Sequence, residues 1–146
     1  MKEPIACLGA GRMGRGIAVV FAYAGHAVSL VDFKSRDEAA FKKLSDDAHG
    51  EVSGVLSTLA GFGLFDLKHV DAIAARVSVV PEGKAQAALS SAGVVFEAMP
   101  EVLGLKRDVL ARASKLAGPA PIIASTTSTI LVDAMIGAGQ IGRAHV

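Results

Sequence analysis

Gly9-Ala10-Gly11-Arg12-Met13-Gly14 follows directly on the apolar run Ile5-Ala6-Cys7-Leu8, and this stretch decides the fold. Four apolar residues between Pro4 and Gly9 read as a short buried strand. From about residue 13 to 24 the apolar positions keep helical spacing, and Gly25 stands where a helix usually stops. A Gly-x-Gly-x-x-Gly string is weak evidence alone, because glycine is common. Between a strand and a helix, each glycine has its own job. Gly9 turns the chain tightly out of the strand. Gly11 has no Cβ to keep an approaching pyrophosphate from the backbone, and Gly14 lets the helix pack close to the strand. The first amides of the helix, unpaired and at the positive end of its dipole, can then hold phosphate oxygens. Gly9, Ala10, Gly11, Arg12, Met13 and Gly14 are therefore candidate cofactor-binding residues.

Outward from this loop, strands and helices alternate. Short apolar or β-branched runs at Ile5–Leu8, 27–31, 77–80, Val94–Glu97 and Ile122–Ser125 read as buried parallel strands. Helical spacing occupies 37–60 and 67–75, the latter with Asp66 as a natural N-cap. A further helix is expected after Pro100, with Val102, Leu105, Val109, Leu110, Ala113 and Leu116 on its inner side, ending near Gly118-Pro119. Such alternation implies right-handed crossovers and an α/β fold, a Rossmann-type doubly wound parallel sheet. More than forty residues separate Asp32 from Val77, too many for one crossover helix. A helical insertion after the second strand is expected, either shaping a substrate site or simply elaborating the scaffold.

Composition bounds the rest. A chain of 146 residues, 51% hydrophobic and 20% charged, suits one globular domain. Its net charge of +1 and the lack of a basic stripe argue against a nucleic-acid partner. The lone Cys7 lies in an apolar run and is expected in the core, as suits a reducing compartment. No stretch reads as a signal peptide or a membrane span, since the longest uncharged run, 16–31, is broken by Gly25 and His26. A cytoplasmic location is expected.

Asp32 ends the second strand, 18 residues beyond Gly14. A carboxylate there accepts hydrogen bonds from the adenosine ribose and repels a 2′-phosphate, which favours NAD over NADP. Lys34 and Arg36 follow closely and could tolerate that phosphate. A flavin, S-adenosylmethionine or no ligand at all remain alternatives at this level.

Three further stretches join the loop in a family pattern: Val31-Asp32, then Val95-Phe96-Glu97-Ala98-Met99-Pro100-Glu101 with Lys106, then Ile123-Ala124-Ser125-Thr126-Thr127-Ser128-Thr129. With Leu8 to Ala18 they make the chain resemble the N-terminal domain of the L-3-hydroxyacyl-CoA dehydrogenases. The resemblance implies NAD as cofactor, an acyl-CoA substrate in the complete enzyme and a homodimer at full length. It implies that Glu101 and Lys106 lie against the cofactor. It further implies that Ser128 contacts both the nicotinamide and the substrate's 3-oxygen, as the one catalytic residue in this chain. Thr126 stands where the family usually has asparagine, and Thr129 where it has serine. On spacing alone, Glu101 and Lys106 would be solvated charges at a helix start, and Ser128 a capping hydroxyl.

The family's catalytic histidine and its glutamate partner are expected after the next strand, and no such segment is present. Of the four histidines, His26, His49 and His69 fall outside any catalytic pattern. His145 has only Val146 after it. The closing Ile141-Gly142-Arg143-Ala144-His145-Val146 is expected to be foreign to the natural sequence, as a translated adapter would be. Residues 1–140 are thus read as the cofactor domain and 141–146 as a non-native or truncated tail, with the start of a sixth strand as the alternative. The chain alone is expected to bind NAD without turnover. A stand-alone nucleotide-sensing module and another 3-hydroxyacid dehydrogenase are the competing readings.

Overall fold

The computed structural model describes residues 2–136 and 144–145. A parallel sheet runs through it, with helices packed on both faces. The chain order is β1 (Ile5–Leu8), α1 (Arg12–Tyr23), β2 (Val28–Asp32), α2 (Glu38–Gly61), α3 (Val70–Ala74), β3 (Val77–Pro81), α4 (Gln86–Ser90), β4 (Val94–Glu97), α5 (Leu103–Ala117), β5 (Ile122–Ser125), α6 (Val132–Ile136) and β6 (Ala144–His145). In space the strands lie β3-β2-β1-β4-β5-β6, so β1 is flanked by β2 and β4 and the strand order reverses between β1 and β4. A crevice opens at such a reversal, beyond the carboxyl ends of the strands.

The alternation of side chains in β1 divides the core in two. Ile5 and Cys7 face a layer formed with Ala18, Ala22, Val52 and Leu56 of α1 and α2. Ala6 and Leu8 face the opposite layer, with Leu89, Val109, Leu110 and Ala113 of α4 and α5. All four β1 residues are buried, which is why the strand reads as a continuous apolar run instead of an alternating one.

The expected helical insertion is α2 followed by α3. Asp37 caps α2 by accepting from the Ala40 amide at 2.7 Å, and Asp66 accepts from Lys68 N at 3.0 Å to open the 3₁₀ turn before α3. Only Ala48, Val52 and Leu56 of α2 are buried, a stripe at four-residue spacing that lies against α1 and the sheet. His49 bridges the carbonyls of Ser45 and Val77 at 2.8 and 2.9 Å, tying α2 to β3.

Two details differ from expectation. Helix α5 starts at Leu103, and Val102 is its N-cap, 57% exposed instead of facing inward. Lys106 takes the inner position in the first turns, beside Val109, Leu110 and Ala113. The short helices α4 and α6 were not foreseen. Ala144–His145 forms a two-residue parallel pairing with Ile123 and Ala124. Residues 141–143 and 146 of the closing hexapeptide lie outside the described residues. No helix among those described is long and apolar enough to cross a membrane.

Cys7 is wholly buried at the centre of the sheet, and burial pushes its thiol from the ordinary 9.0 up to about 12. The neutral thiol is thus favoured in the folded state, and stability is lost as pH rises from 9.0 towards about 12. Relative to Cys7→Ala, unfolding free energy should fall by about 1.4 kcal/mol per pH unit in that window. A thiol reagent at pH 8 should label Cys7 only after urea unfolding; labelling of the folded chain at the rate of a free thiol would contradict this burial.

Candidate cofactor-binding site

A cleft of about 770 Å³ lies at the reversal point. Its walls are the glycine turn after β1, the residues that follow β2, the turn Ala98-Met99-Pro100 after β4 and one face of α5. From the insertion, Leu44 of α2 contributes to the wall.

The glycine turn has the geometry its sequence suggests. Gly9 adopts φ +110°, a conformation costly for any residue with a Cβ, and a Cβ there would also crowd the Ala98 carbonyl and Met99 Sδ at 3.1 Å. At Gly14 a Cβ would drive into the Gly9 carbonyl oxygen, so the helix can lie this close to the strand only with glycine in place. Gly11 is different. A Cβ there would meet nothing within 4 Å, yet the residue lines the cleft. The protein itself has no need of glycine at that position; a ligand approaching the backbone would. Helix α1 begins without a side-chain cap, in contrast to α2, so its first amides remain available to an anion. These features fit a dinucleotide pyrophosphate.

At the adenosine end, Asp32 is 7% exposed. Arg36 Nε donates to its Oδ2 at 2.6 Å, and the Lys34 amide donates to Oδ1 at 3.3 Å. Phe33, buried beneath the guanidinium of Arg112 at 5.2 Å, closes the wall behind it.

At the other end, β4 and β5 deliver a buried polar cluster. Glu97, at the end of β4, and Lys106 of α5 are both 0% exposed. Lys106 Nζ donates to both carboxylate oxygens, at 2.8 and 2.9 Å, and to the Met99 carbonyl at 3.0 Å. Glu97 further accepts from the Met99 amide at 2.7 Å and from Ser125 Oγ at 2.5 Å. The pair is thus saturated with partners, the condition under which a buried ion pair is tolerated. Lys106, which the family resemblance set against the cofactor, instead holds the Met99 turn from behind and does not line the cleft. Its three ammonium protons are already directed at protein oxygens. Glu101 is exposed and accepts from Thr127 Oγ1, joining the loop after β4 to the loop after β5. Ser128 is exposed one residue beyond that bridge.

Sequence reasoning overlooked Glu97 and Ser125 as members of this cluster. The available signal was a glutamate closing an otherwise apolar strand, which is rare in a core unless the charge is paired. Among the described histidines, His26 lies 2.7 Å from the Glu3 carbonyl and His49 bridges two carbonyls, and no histidine lines the cleft. The described residues hold no cluster suited to a metal ion.

This sheet order, with a glycine turn opening an uncapped helix at the reversal point, defines a dinucleotide-binding domain of the Rossmann type. Residues 4–143 match the family model described as the NAD binding domain of 3-hydroxyacyl-CoA dehydrogenase, and the chain belongs to that family. Its cofactor is NAD. The L-carnitine dehydrogenase of Streptomyces coelicolor is 32% identical over 124 residues, 85% of this chain and 35% of that protein. The 3-hydroxyadipyl-CoA dehydrogenase of Escherichia coli is 28% identical over 133 residues, 91% of this chain and 26% of that protein. The chain therefore spans about a third or less of the length of these relatives. Among solved structures, the (S)-3-hydroxybutyryl-CoA dehydrogenase of Ralstonia eutropha superposes with a TM-score of 0.78 at 26% identity, covering 96% of this chain and 46% of that one.

Removing one partner of the buried pair should leave an uncompensated charge. Lys106→Met is expected to lower unfolding free energy by roughly 3–5 kcal/mol, and Glu97→Gln combined with Lys106→Met to recover part of that loss. Urea unfolding measures both. A single variant as stable as the parent would show that the pair does not hold the junction.

Proposed function

We propose that the chain binds NAD across the cleft, with the pyrophosphate on the turn of residues 9–14, the adenosine ribose at Asp32 and the nicotinamide towards Glu101 and Ser128. The observation that carries this reading is the contrast between Gly14, needed for packing, and Gly11, which lines the cleft and whose Cβ would meet no protein atom. In the parent protein the reaction is oxidation of a 3-hydroxyacyl-CoA to the 3-oxoacyl-CoA, in keeping with the family. When bound, NAD supplies the hydride acceptor at the nicotinamide end. In this reading the Ser128 hydroxyl, exposed in the loop after β5 and outside the walls of the cleft itself, hydrogen-bonds the substrate's 3-oxygen and steadies it as its charge changes. Glu97, Ser125 and Lys106 do not touch substrate; they fix the two loops that carry Glu101 and Ser128.

The proton acceptor is not among the described residues that line the cleft. The 146-residue chain alone is therefore read as holding cofactor without turnover. The parent is read as a homodimer, as the family resemblance implies, and as cytoplasmic on the composition of this chain. A 3-hydroxy acid not carried on CoA is the second reading of the substrate, favoured by the likeness to L-carnitine dehydrogenase.

Titrating NADH against the chain and following its fluorescence tests the site. Gly11→Ala should fold as the parent does but bind NADH at least about tenfold more weakly, a loss of about 1.4 kcal/mol. Gly14→Ala should instead lose stability, by roughly 1–3 kcal/mol, from the forced contact with Gly9. Equal NADH affinity in Gly11→Ala and the parent would remove the pyrophosphate from this turn. In the full-length protein, Ser128→Ala should lower kcat about 10²–10³-fold with NADH affinity little changed. NAD reduction with 3-hydroxybutyryl-CoA against L-carnitine separates the two substrate readings.

A further inference from the structure

A carboxylate at the end of the second strand normally selects NAD, because its bare charge repels a 2′-phosphate. Asp32 is not bare. It is 7% exposed, and both its oxygens already accept bonds, Oδ2 from Arg36 Nε and Oδ1 from the Lys34 amide. Its charge is offset at 2.6 Å by the guanidinium of Arg36, whose side chain is a quarter exposed. Arg36 uses only Nε in that pair. Among the described residues, neither Nη1 nor Nη2 of Arg36 has a partner. A planar fork with unused N–H groups suits bidentate contact to phosphate oxygens.

The surroundings point the same way. The charged residues lining the cleft are Arg12, Arg15, Lys34, Arg36 and Arg112 against Asp32 alone. Arg15 and Arg112 are neutralised by Glu51 and by Glu82 with Asp108. Lys34 is exposed and has no ion-pair partner among the described residues. The acids that follow, Asp37 and Glu38, do not line the cleft, and Asp37 is turned to the Ala40 amide as the cap of α2. The adenosine end therefore carries a net positive charge in spite of its aspartate.

We propose that this site admits NADP as well as NAD, with Arg36 as the specificity-determining residue that receives the 2′-phosphate and Lys34 beside it. The proposal rests on the cleft being the dinucleotide site. With the 2′-hydroxyl of NAD, the Asp32–Arg36 pair stays closed and the ribose bonds to what remains accessible of the carboxylate. With a 2′-phosphate, the free edge of the guanidinium takes the phosphate oxygens while Nε keeps Asp32 paired.

The test is a pair of fluorescence titrations, NADH and NADPH, on the 146-residue chain and on Arg36→Gln and Arg36→Lys. NADPH should bind the parent within about tenfold of NADH at low salt and weaken more steeply than NADH as salt is raised. Arg36→Gln should weaken NADPH at least about tenfold while NADH is held or tightened, since Asp32 is then freed. Arg36→Lys, which keeps the charge but loses the fork, should fall between. If NADH binds and NADPH is weaker by more than about tenfold in the parent at low salt, the inference fails and the site reading survives. If Arg36→Gln weakens both cofactors equally, Arg36 merely holds Asp32 and the inference also fails. Binding of neither cofactor overturns the site reading and this inference together.

Discussion

The distance at which α1 can lie from β1 is set by one contact, Gly14 against the carbonyl of Gly9, and the rest of the site depends on it. No side chain fits between them. Because they touch, the amino end of α1 comes up directly beyond the end of the strand instead of being displaced to one side. Gly9, bent through a positive φ, faces the Ala98 carbonyl of the turn after β4 across a wider but still close gap. Three segments thus converge where backbone meets backbone, and the cleft is what they leave open. A methyl group at Gly14 would alter the strand–helix spacing, and one at Gly9 would press on the turn after β4, before either touched any ligand.

The far end of the cleft is organised on the opposite principle. There the contacts are charged and buried. Glu97 receives bonds from Met99, Lys106 and Ser125, so the loops after β4 and β5 are referred to one carboxylate. Such a cluster contributes little net stability, because desolvating two ions offsets most of their attraction. Its effect is geometric. A loop tied at a saturated carboxylate has few other arrangements that avoid stranding a charge, so Glu101 and Ser128 are presented from fixed ends.

Much of the fold was legible in the residues. Strand β1 is buried on both faces and β2 nearly so, and the first five strands are all short, largely apolar runs bounded by turn residues; the caps Asp37 and Asp66 carry their mechanism in their side chains. Helices α4 and α6, of five residues each, are too short to display a 3.6-residue period. The glycine turn was readable because each position has a steric reason. Lys106 was not, because its partner lies at the end of the preceding strand and only the turn into α5 brings the two together. For the same reason Val102 was placed on the inner face; the helix begins one residue later, and its buried stripe runs through Lys106 instead. The pairing of Asp32 with Arg36 was likewise invisible, since spacing placed a cation nearby without showing that it would occupy the carboxylate.

The position of β1 has a consequence for how the chain is made. It is made before the other described strands and lies, with β4, at the centre of the sheet, with Ile5 beside Val94 of β4. At the usual pace of translation, β1 waits on the order of ten seconds for that neighbour. In the meantime it can pair only with β2, leaving one hydrogen-bonding edge and an apolar face exposed. Parallel pairings between segments so distant in sequence also close slowly. The nascent chain therefore spends its most aggregation-prone interval with its future centre uncovered, and shielding by the ribosome tunnel or a chaperone would matter most before β4 emerges.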